Sequence, residues 1–278
     1  MNPLVSVIIP TKNSEVYIQA CLESLKCQTY KPIELILVDN YSTDRTRLIA
    51  SKFADIVIEF GPERSAQVNQ GVLVSHGDYV FRVDSDFVLD SQVVSQCVRE
   101  AQRGFGAVVV HNTPSAEVSR LAKLRKFEVD MYKYDLTHSA ARFIRKDVYL
   151  RVGGYNPTIT AGEDYDLQNR LNRLGVNTGF VDAEAIHMGE PVDLLSVLHK
   201  YLVYGKDFTN FVSANPDKAA SQLGPLRLIY FKKWRAFVRH PLLGFELLVY
   251  HFMRFLSAGA GYLGARLSSL YRVPDKAP

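Results

Sequence analysis

The sequence predicts an α/β fold, a Rossmann-like and mostly parallel sheet flanked by helices, followed by C-terminal amphipathic helices. Three observations predict it. Short β-branched runs alternate with helix-like segments of about ten residues over the first half of the chain. Polar stretches follow several of those runs, at the strand ends where open parallel sheets bind ligands. From Val192 onward the pattern turns helical, apolar and basic.

In order, residues 4–9 (L-V-S-V-I-I) form a β-branched run ended by Pro10. Residues 15–25 put Ile18, Cys21, Leu22 and Leu25 at helical spacing. Residues 34–38 (E-L-I-L-V) read as a second strand, closed by Asp39. A helix is expected over 44–53, capped by Ser42 or Thr43, and a third strand over 56–60. A helix over 66–75, a strand over 79–83, a helix over 91–102 capped by Asp90 or Ser91, and a strand over 107–111 follow. Beyond them come a helix over 115–134, a strand over 139–145, and a helix over 146–152 stopped by Gly153-Gly154. In the helix over 163–174, Leu167, Leu171 and Leu174 share one face. Its first turn is acidic, which suits the helix dipole, and Gly175 stops it. Residues 176–181 and 185–187 read as strands. The expected division is a sheet domain over 1–190 and a helical region over 191–278.

With 278 residues, 47% of them hydrophobic and 22% charged, the chain has the make-up of an ordinary globular protein with one large core. Its net charge of +4 is unevenly placed. Between Leu226 and Arg272 eight Lys and Arg face one acid, Glu246, a local +7 that leaves −3 elsewhere. Such a tail suits an anionic partner. Cys21, Cys27 and Cys97 form no C-x-x-C pair and read as free thiols of a reducing compartment. No basic stretch precedes the first strand, so no secretory signal is expected.

Three polar stretches sit at strand ends: P-T-K-N (10–13), D-N-Y-S-T-D (39–44) and D-S-D (84–86). No G-x-G-x-x-G follows the first strand and no Walker A motif occurs, so a nucleotide here is held without a glycine-rich phosphate loop. Asp84 and Asp86 end an apolar run, where carboxylates are costly to desolvate and repel each other. A divalent cation bridging to phosphate oxygens resolves both problems.

The ordered set S-V-I-I-P-T-K-N, V-D-N-Y-S-T-D-R-T, G-D-Y-V-F-R-V-D-S-D and G-E-D-Y-D-L-Q-N-R-L resembles family 2 of the inverting glycosyltransferases, which has the GT-A nucleotide-sugar fold. The resemblance covers about residues 4–190. It implies a nucleotide-diphospho-sugar donor, UDP-hexose or GDP-mannose, and Mn²⁺ or Mg²⁺. It places Thr11, Asn13 and Asp39 at the nucleoside and Arg64 at the diphosphate, where a guanidinium offers paired donors. Asp86 and His187 become metal ligands, and Asp84 faces the ribose or the sugar. Asp164, the second acid of G-E-D, becomes the base that deprotonates the acceptor, with Glu163 as the fallback. An acceptor that is already anionic, such as a lipid phosphate, hardly needs a strong base. A retaining mechanism would want a nucleophile on the sugar's other face, and the sequence offers no candidate.

Residues 226–239 set Lys232, Arg235 and Arg239 along one helical face, with Tyr230, Trp234, Phe237 and Val238 filling much of the rest. Residues 242–265 are apolar apart from Glu246, His251, Arg254 and small residues. Their length approaches a membrane span, but three ionisable groups are expensive at the bilayer centre. Glu246, Tyr250, Arg254, Ser257 and Gly261 fall near one stripe. Membrane association is expected, with spanning left open, and nucleic acid is excluded as a partner for want of any motif. The expectation is therefore an enzyme on the cytoplasmic face of a membrane, anchored by its C-terminal helices. Its acceptor is polyprenyl (or dolichyl) phosphate or a lipid-linked glycan. A soluble acceptor and a non-catalytic nucleotide-sugar scaffold are the alternatives. A nucleotidyltransferase would need a glycine-rich basic loop where P-T-K-N stands.

Overall fold

A computed structural model describes residues 2–117, 119–225 and 227–270. In chain order the elements are β1 (Val5–Thr11), α1 (Ile18–Lys26), β2 (Ile33–Asp39), α2 (Thr46–Ala50), β3 (Ile56–Glu59), α3 (Arg64–Val74), β4 (Tyr79–Arg82), β5 (Phe87–Leu89), α4 (Val93–Gln102) and β6 (Ala107–Pro114). They continue with α5 (Arg120–Asp130), β7 (Phe143–Arg145), α6 (Lys146–Val152), α7 (Glu163–Arg173), β8 (Thr178–His187), α8 (Leu194–Ala214), α9 (Ala219–Leu223), α10 (Leu228–Lys232), α11 (Trp234–Arg239) and α12 (Pro241–Leu270).

Among the described residues the strands form one sheet in the order β3-β2-β1-β4-β7-β6-β8-β5. The β3-β2-β1-β4 half is wholly parallel, and β6 and β8 pair in parallel. β7 runs antiparallel to both of its neighbours, and β5 runs antiparallel to β8. The two-residue period of a strand explains how both faces are buried. Val5, Val7 and Ile9 of β1 and Leu35 and Leu37 of β2 join α1 and α4 in one core. Ile8, Ile36 and Val38 point to the other face and pack on α3, α6 and α7. Parallel strands covered this way read as unbroken apolar runs, which is what the sequence shows.

The structure departs from the sequence pattern in specific places. Pro10 does not end β1, which continues to Thr11 opposite Asp39. The helix expected over 44–53 shrinks to the five residues of α2. Ser42 is not its cap, because Ser42 is drawn to Asp39, and the Asp44 carboxylate takes the Thr46 amide instead. β5 has no counterpart in the sequence pattern, since three residues are too few to show a period. Residues 176–181 and 185–187 belong to one strand, β8. Leu226 and Arg272, the ends of the basic segment, lie outside the described residues.

The C-terminal helices pack on the sheet domain through α5 and through α7, whose Asp166 and Asn169 bond Asn215 and Gln222. Leu124, Met131, Tyr132, Val197, Tyr230, Leu247 and Tyr250 form their shared apolar core. The stripe Glu246–Gly261 turns inward. Arg254 bonds Glu128 at 2.7 Å, Ser257 donates to the Leu198 carbonyl, and a Cβ on Gly261 would meet the Leu202 carbonyl at 2.0 Å. No helix among the described residues is long and apolar enough to cross a membrane.

Candidate active site

β4 stops at Arg82, which leaves Asp84, Ser85 and Asp86 beyond its carboxyl end. Opposite stands the N-terminus of α7. Gly162, at φ +88°, turns the chain so that Glu163 and Asp164 open that helix. Two cavities meet between these ends. One, of about 400 Å³, is lined by Thr11, Lys12, Asn40 and Gln67. The other, of about 490 Å³, runs toward the C-terminal helices. Both sizes suit small-molecule ligands. Arg64, Asp84, Asp86, Glu163 and Tyr204 border both, whereas Asp164 and His187 border only the larger.

Asp84, Glu163 and Asp164 are held by three arginines. Arg82 is 2% exposed and donates to Asp84 at 3.1 Å, to Asp164 at 2.7 Å and to Glu163 at 3.4 Å. Arg142 bonds Asp84 at 3.0 Å and Asp164 at 2.8 Å. Arg64 pairs with Glu163, not with its neighbour Glu63, and approaches Asp84 to 3.9 Å. Three cations against three carboxylates let acids this close all stay ionised. Burial pushes Asp164 up, but Arg142 and Arg82 outweigh it and bring its carboxyl down to about 2. Asp84 is driven well below the usual range in the same way, by Arg82, Arg142 and Arg64 against burial. The Tyr155 hydroxyl completes the Asp164 shell at 3.0 Å.

Asp86 has a different partner. His187, at the end of β8, lies with Nε2 2.9 Å from Asp86 Oδ2 and Nδ1 2.9 Å from Glu190. Burial lowers the His187 pKa, but the two carboxylates raise it to about 9. Gly189 closes the arrangement, because a Cβ there would stand 2.3 Å from Asp86 Oδ2. An imidazole and a carboxylate facing each other, with a second carboxylate behind the imidazole, is a donor set that fits a divalent cation. Among the described residues no three His, Cys, Asp or Glu side chains gather for a metal, so phosphate oxygens and water would supply the other positions.

The remaining sequence-predicted residues divide. Thr11 lines the smaller cavity, and its buried hydroxyl has no partner among the described residues. Asp39 lines neither cavity: both carboxylate oxygens bond Ser42, at 2.7 and 2.6 Å, and organise the turn after β2. Its neighbour Asn40 is the residue that faces the cavity. Asn13, at φ 47°, ties the first loop to the second by accepting from the Thr43 amide. Sequence reasoning missed Arg82, Arg142, Tyr155, Lys12, Asn40 and Glu190. An arginine inside the run Y-V-F-R-V was the available signal for Arg82, and H-M-G-E was the signal for Glu190.

Residues 6–155 match the family model described as glycosyl transferase family 2. The glycosyltransferase GlyG of Streptococcus pneumoniae serotype 4 is 32% identical over 119 residues, which is 40% of each chain, so this chain spans less than half of that relative. The mannosyltransferase PcManGT of Pyrobaculum calidifontis, solved with GDP-Man and Mn²⁺, superposes with a TM-score of 0.65 at 18% identity, over 98% of this chain and 88% of that one. Glucosyl-3-phosphoglycerate synthase of Mycobacterium tuberculosis, solved with Mn²⁺, UDP and glucosyl-3-phosphoglycerate, gives 0.53 at 20% identity, over 76% of this chain and 80% of that one. These likenesses show the fold, the GT-A arrangement.

Proposed function

The chain belongs to glycosyl transferase family 2, and from that premise we propose that it transfers a hexose from a nucleotide-diphospho-sugar to an acceptor, with inversion. The observation that carries this reading is the meeting of the two cavities at Arg64, Asp84, Asp86 and Glu163. A donor in the smaller cavity sets its reactive carbon at the mouth of the larger one, where an acceptor enters. The unpartnered Thr11 hydroxyl, Lys12 and Asn40 offer contacts to the nucleoside. Arg64 borders both cavities and offers its guanidinium to the diphosphate.

Asp86 and His187 would hold Mn²⁺ or Mg²⁺, the ions for which their chemistry is suited. Such an ion supplies Lewis-acid neutralisation of the departing nucleoside diphosphate. With an ion bound His187 would be neutral, and Glu190 would take the Nδ1 proton and leave Nε2 toward Asp86 as the ligand atom. Asp164 borders only the acceptor side, which is where an inverting transfer needs its base. Brønsted behaviour makes a carboxylate whose pKa is held down to about 2 a weak base. Asp164 therefore serves best to orient the acceptor oxygen and take its proton late, and it suits an acceptor oxygen that is already acidic or anionic, such as a phosphate.

The acceptor is read as membrane-borne, a polyprenyl phosphate or a lipid-linked glycan. Phe231, Trp234, Leu242, Phe245, Phe252 and Leu256 are exposed along α10 to α12, beside the groove of Lys232, Lys233, Arg235 and Arg239. Exposed aromatics beside a basic patch fit an interfacial, non-spanning association with anionic lipid. Three free thiols suit the cytoplasmic face. The test is a panel of UDP-hexoses and GDP-mannose with Mn²⁺ or Mg²⁺, scored for transfer to lipid acceptors in vesicles and to soluble glycans. A donor-selective product on lipid acceptors supports the reading, and a flat panel overturns it.

A further inference from the structure

The larger cavity ends away from Asp84, Asp86 and Asp164 in a group of cations contributed by α5, α8, α12 and the segment before α10, of which Arg254 is buried, Arg125 and Arg227 half-buried and Lys200 exposed. Glu128 is 1% exposed and fully engaged there. Its two oxygens take Arg254 at 2.7 Å, Arg125 at 2.6 Å, Tyr132 at 2.7 Å and Tyr230 at 3.0 Å. Arg227 and Lys200 border the same space with no carboxylate at ion-pair distance among the described residues. The hydrogen bond found for Arg227 goes to the Tyr132 hydroxyl at 2.8 Å, and Lys200 lies over the Tyr204 ring. The Nε atoms of Arg227 and of Arg254, the latter 3% exposed, are buried without a partner among the described residues. At this end Arg125, Lys200, Arg227 and Arg254 face Glu128 and Glu190, which leaves a charge of +2.

A guanidinium N–H buried without an acceptor is costly, and an anion that reaches these unused donors would complete them. We propose that this end of the cavity is a phosphate-binding subsite centred on Arg227, Lys200 and Arg254, and that it recognises an acceptor carrying a phosphate group. The proposal rests on the reading of the larger cavity as the acceptor side. A phosphate monoester carries about −1.5 to −2 at neutral pH and so matches the local excess. Its oxygens suit the planar donors of two arginines. The phosphate belongs either to a lipid or to a soluble ester, and the test separates these.

Farnesyl phosphate, inorganic phosphate and farnesol are titrated into the full chain in detergent with EDTA, so that no metal-held site contributes. Arg227→Gln and the exposed Lys200→Gln are compared with wild type, and melting curves check folding. Loss of one charged contact is expected to weaken phosphate binding roughly ten-fold in each variant. Farnesyl phosphate binding more tightly than inorganic phosphate supports a lipid-borne group, and equal affinities support a soluble one. Farnesol binding as well as farnesyl phosphate overturns the proposal, as does binding unchanged in both variants. GDP-mannose and UDP-glucose binding with Mn²⁺ is measured on wild type in parallel. Failure there sinks the donor reading and leaves the phosphate result to stand or fall on its own.

Discussion

Gly189→Ala tests the Asp86–His187 arrangement without touching either residue. The new methyl would stand 2.3 Å from Asp86 Oδ2 and 3.1 Å from its carboxyl carbon, whereas ordinary contact begins at 3.4 Å. The carboxylate must therefore move by about 1 Å, a displacement that can cost a catalytic site on the order of a hundred-fold. Oδ2 is the atom that His187 faces at 2.9 Å, so the shift separates the two candidate ligands. The glycine's backbone is not in the left-handed region, so the effect is steric, and overpacking of this kind costs about 1–3 kcal/mol of stability. Sugar transfer is measured across a Mn²⁺ titration, with thermal melting alongside. The expected result is a hundred-fold lower rate or a Mn²⁺ requirement shifted to higher concentration, in a folded protein. Gly259→Ala is the control. It meets open space in α12 and should gain about 0.5–1 kcal/mol with unchanged transfer. A Gly189→Ala protein with wild-type rate and wild-type Mn²⁺ dependence would show that Asp86 and His187 do not act together on the ion.

Three other perturbations have defined outcomes. Asp164→Asn should keep donor affinity and lose about a hundred-fold in transfer, the low end for a general base because Arg142 and Arg82 hold its pKa near 2; lost affinity at an unchanged rate would move Asp164 to a binding role. Glu128→Gln should cost about 3–5 kcal/mol by stranding Arg254 and Arg125, read as a lowered Tm. Glu128 is pushed up by burial but held well below its ordinary 4.5 by Arg254 and Arg125, so its contribution is present above that pH and fades as pH falls below it. The wild-type advantage over Glu128→Gln should then shrink in acid, and a constant gap would contradict the pairing. Gly205→Ala places a Cβ 1.9 Å from the Ala258 carbonyl and forces α8 off α12, so a loss of about 1–3 kcal/mol is expected in urea unfolding, with no loss counting against the close crossing.

Much of the sheet domain was legible because its signals are local. The strands β1, β2 and β4 announce themselves as apolar runs, and their polar ends mark where ligands bind. Glu163 and Asp164 were readable because an acidic first turn after Gly162 is a local device. The arginine cluster was not legible. Arg82 meets Glu163 and Asp164 across more than eighty residues, and Arg142 meets Asp84 from β7's approach, so no spacing records either contact. Asp39 shows how one local pattern carries two readings. A strand-end aspartate followed three residues later by serine is also the pattern of a turn, and the structure spends both its oxygens there. The tail's stripe of Glu246, Tyr250, Arg254, Ser257 and Gly261 was read correctly as a face, but periodicity cannot say what a face meets. It meets α5 and α8, and the apolar residues on the far side are the ones left exposed.

The central claim is that the junction at Asp84 and Asp86 holds a nucleotide-diphospho-sugar through a divalent cation. Calorimetric titration of GDP-mannose and UDP-glucose into wild type and Asp86→Ala, each with Mn²⁺ and with EDTA, tests it most directly. Wild type is expected to bind at least one donor with Mn²⁺, and EDTA and Asp86→Ala are each expected to abolish or severely weaken that binding. Donor binding that is equal in all four samples, or absent from wild type with Mn²⁺, would contradict it.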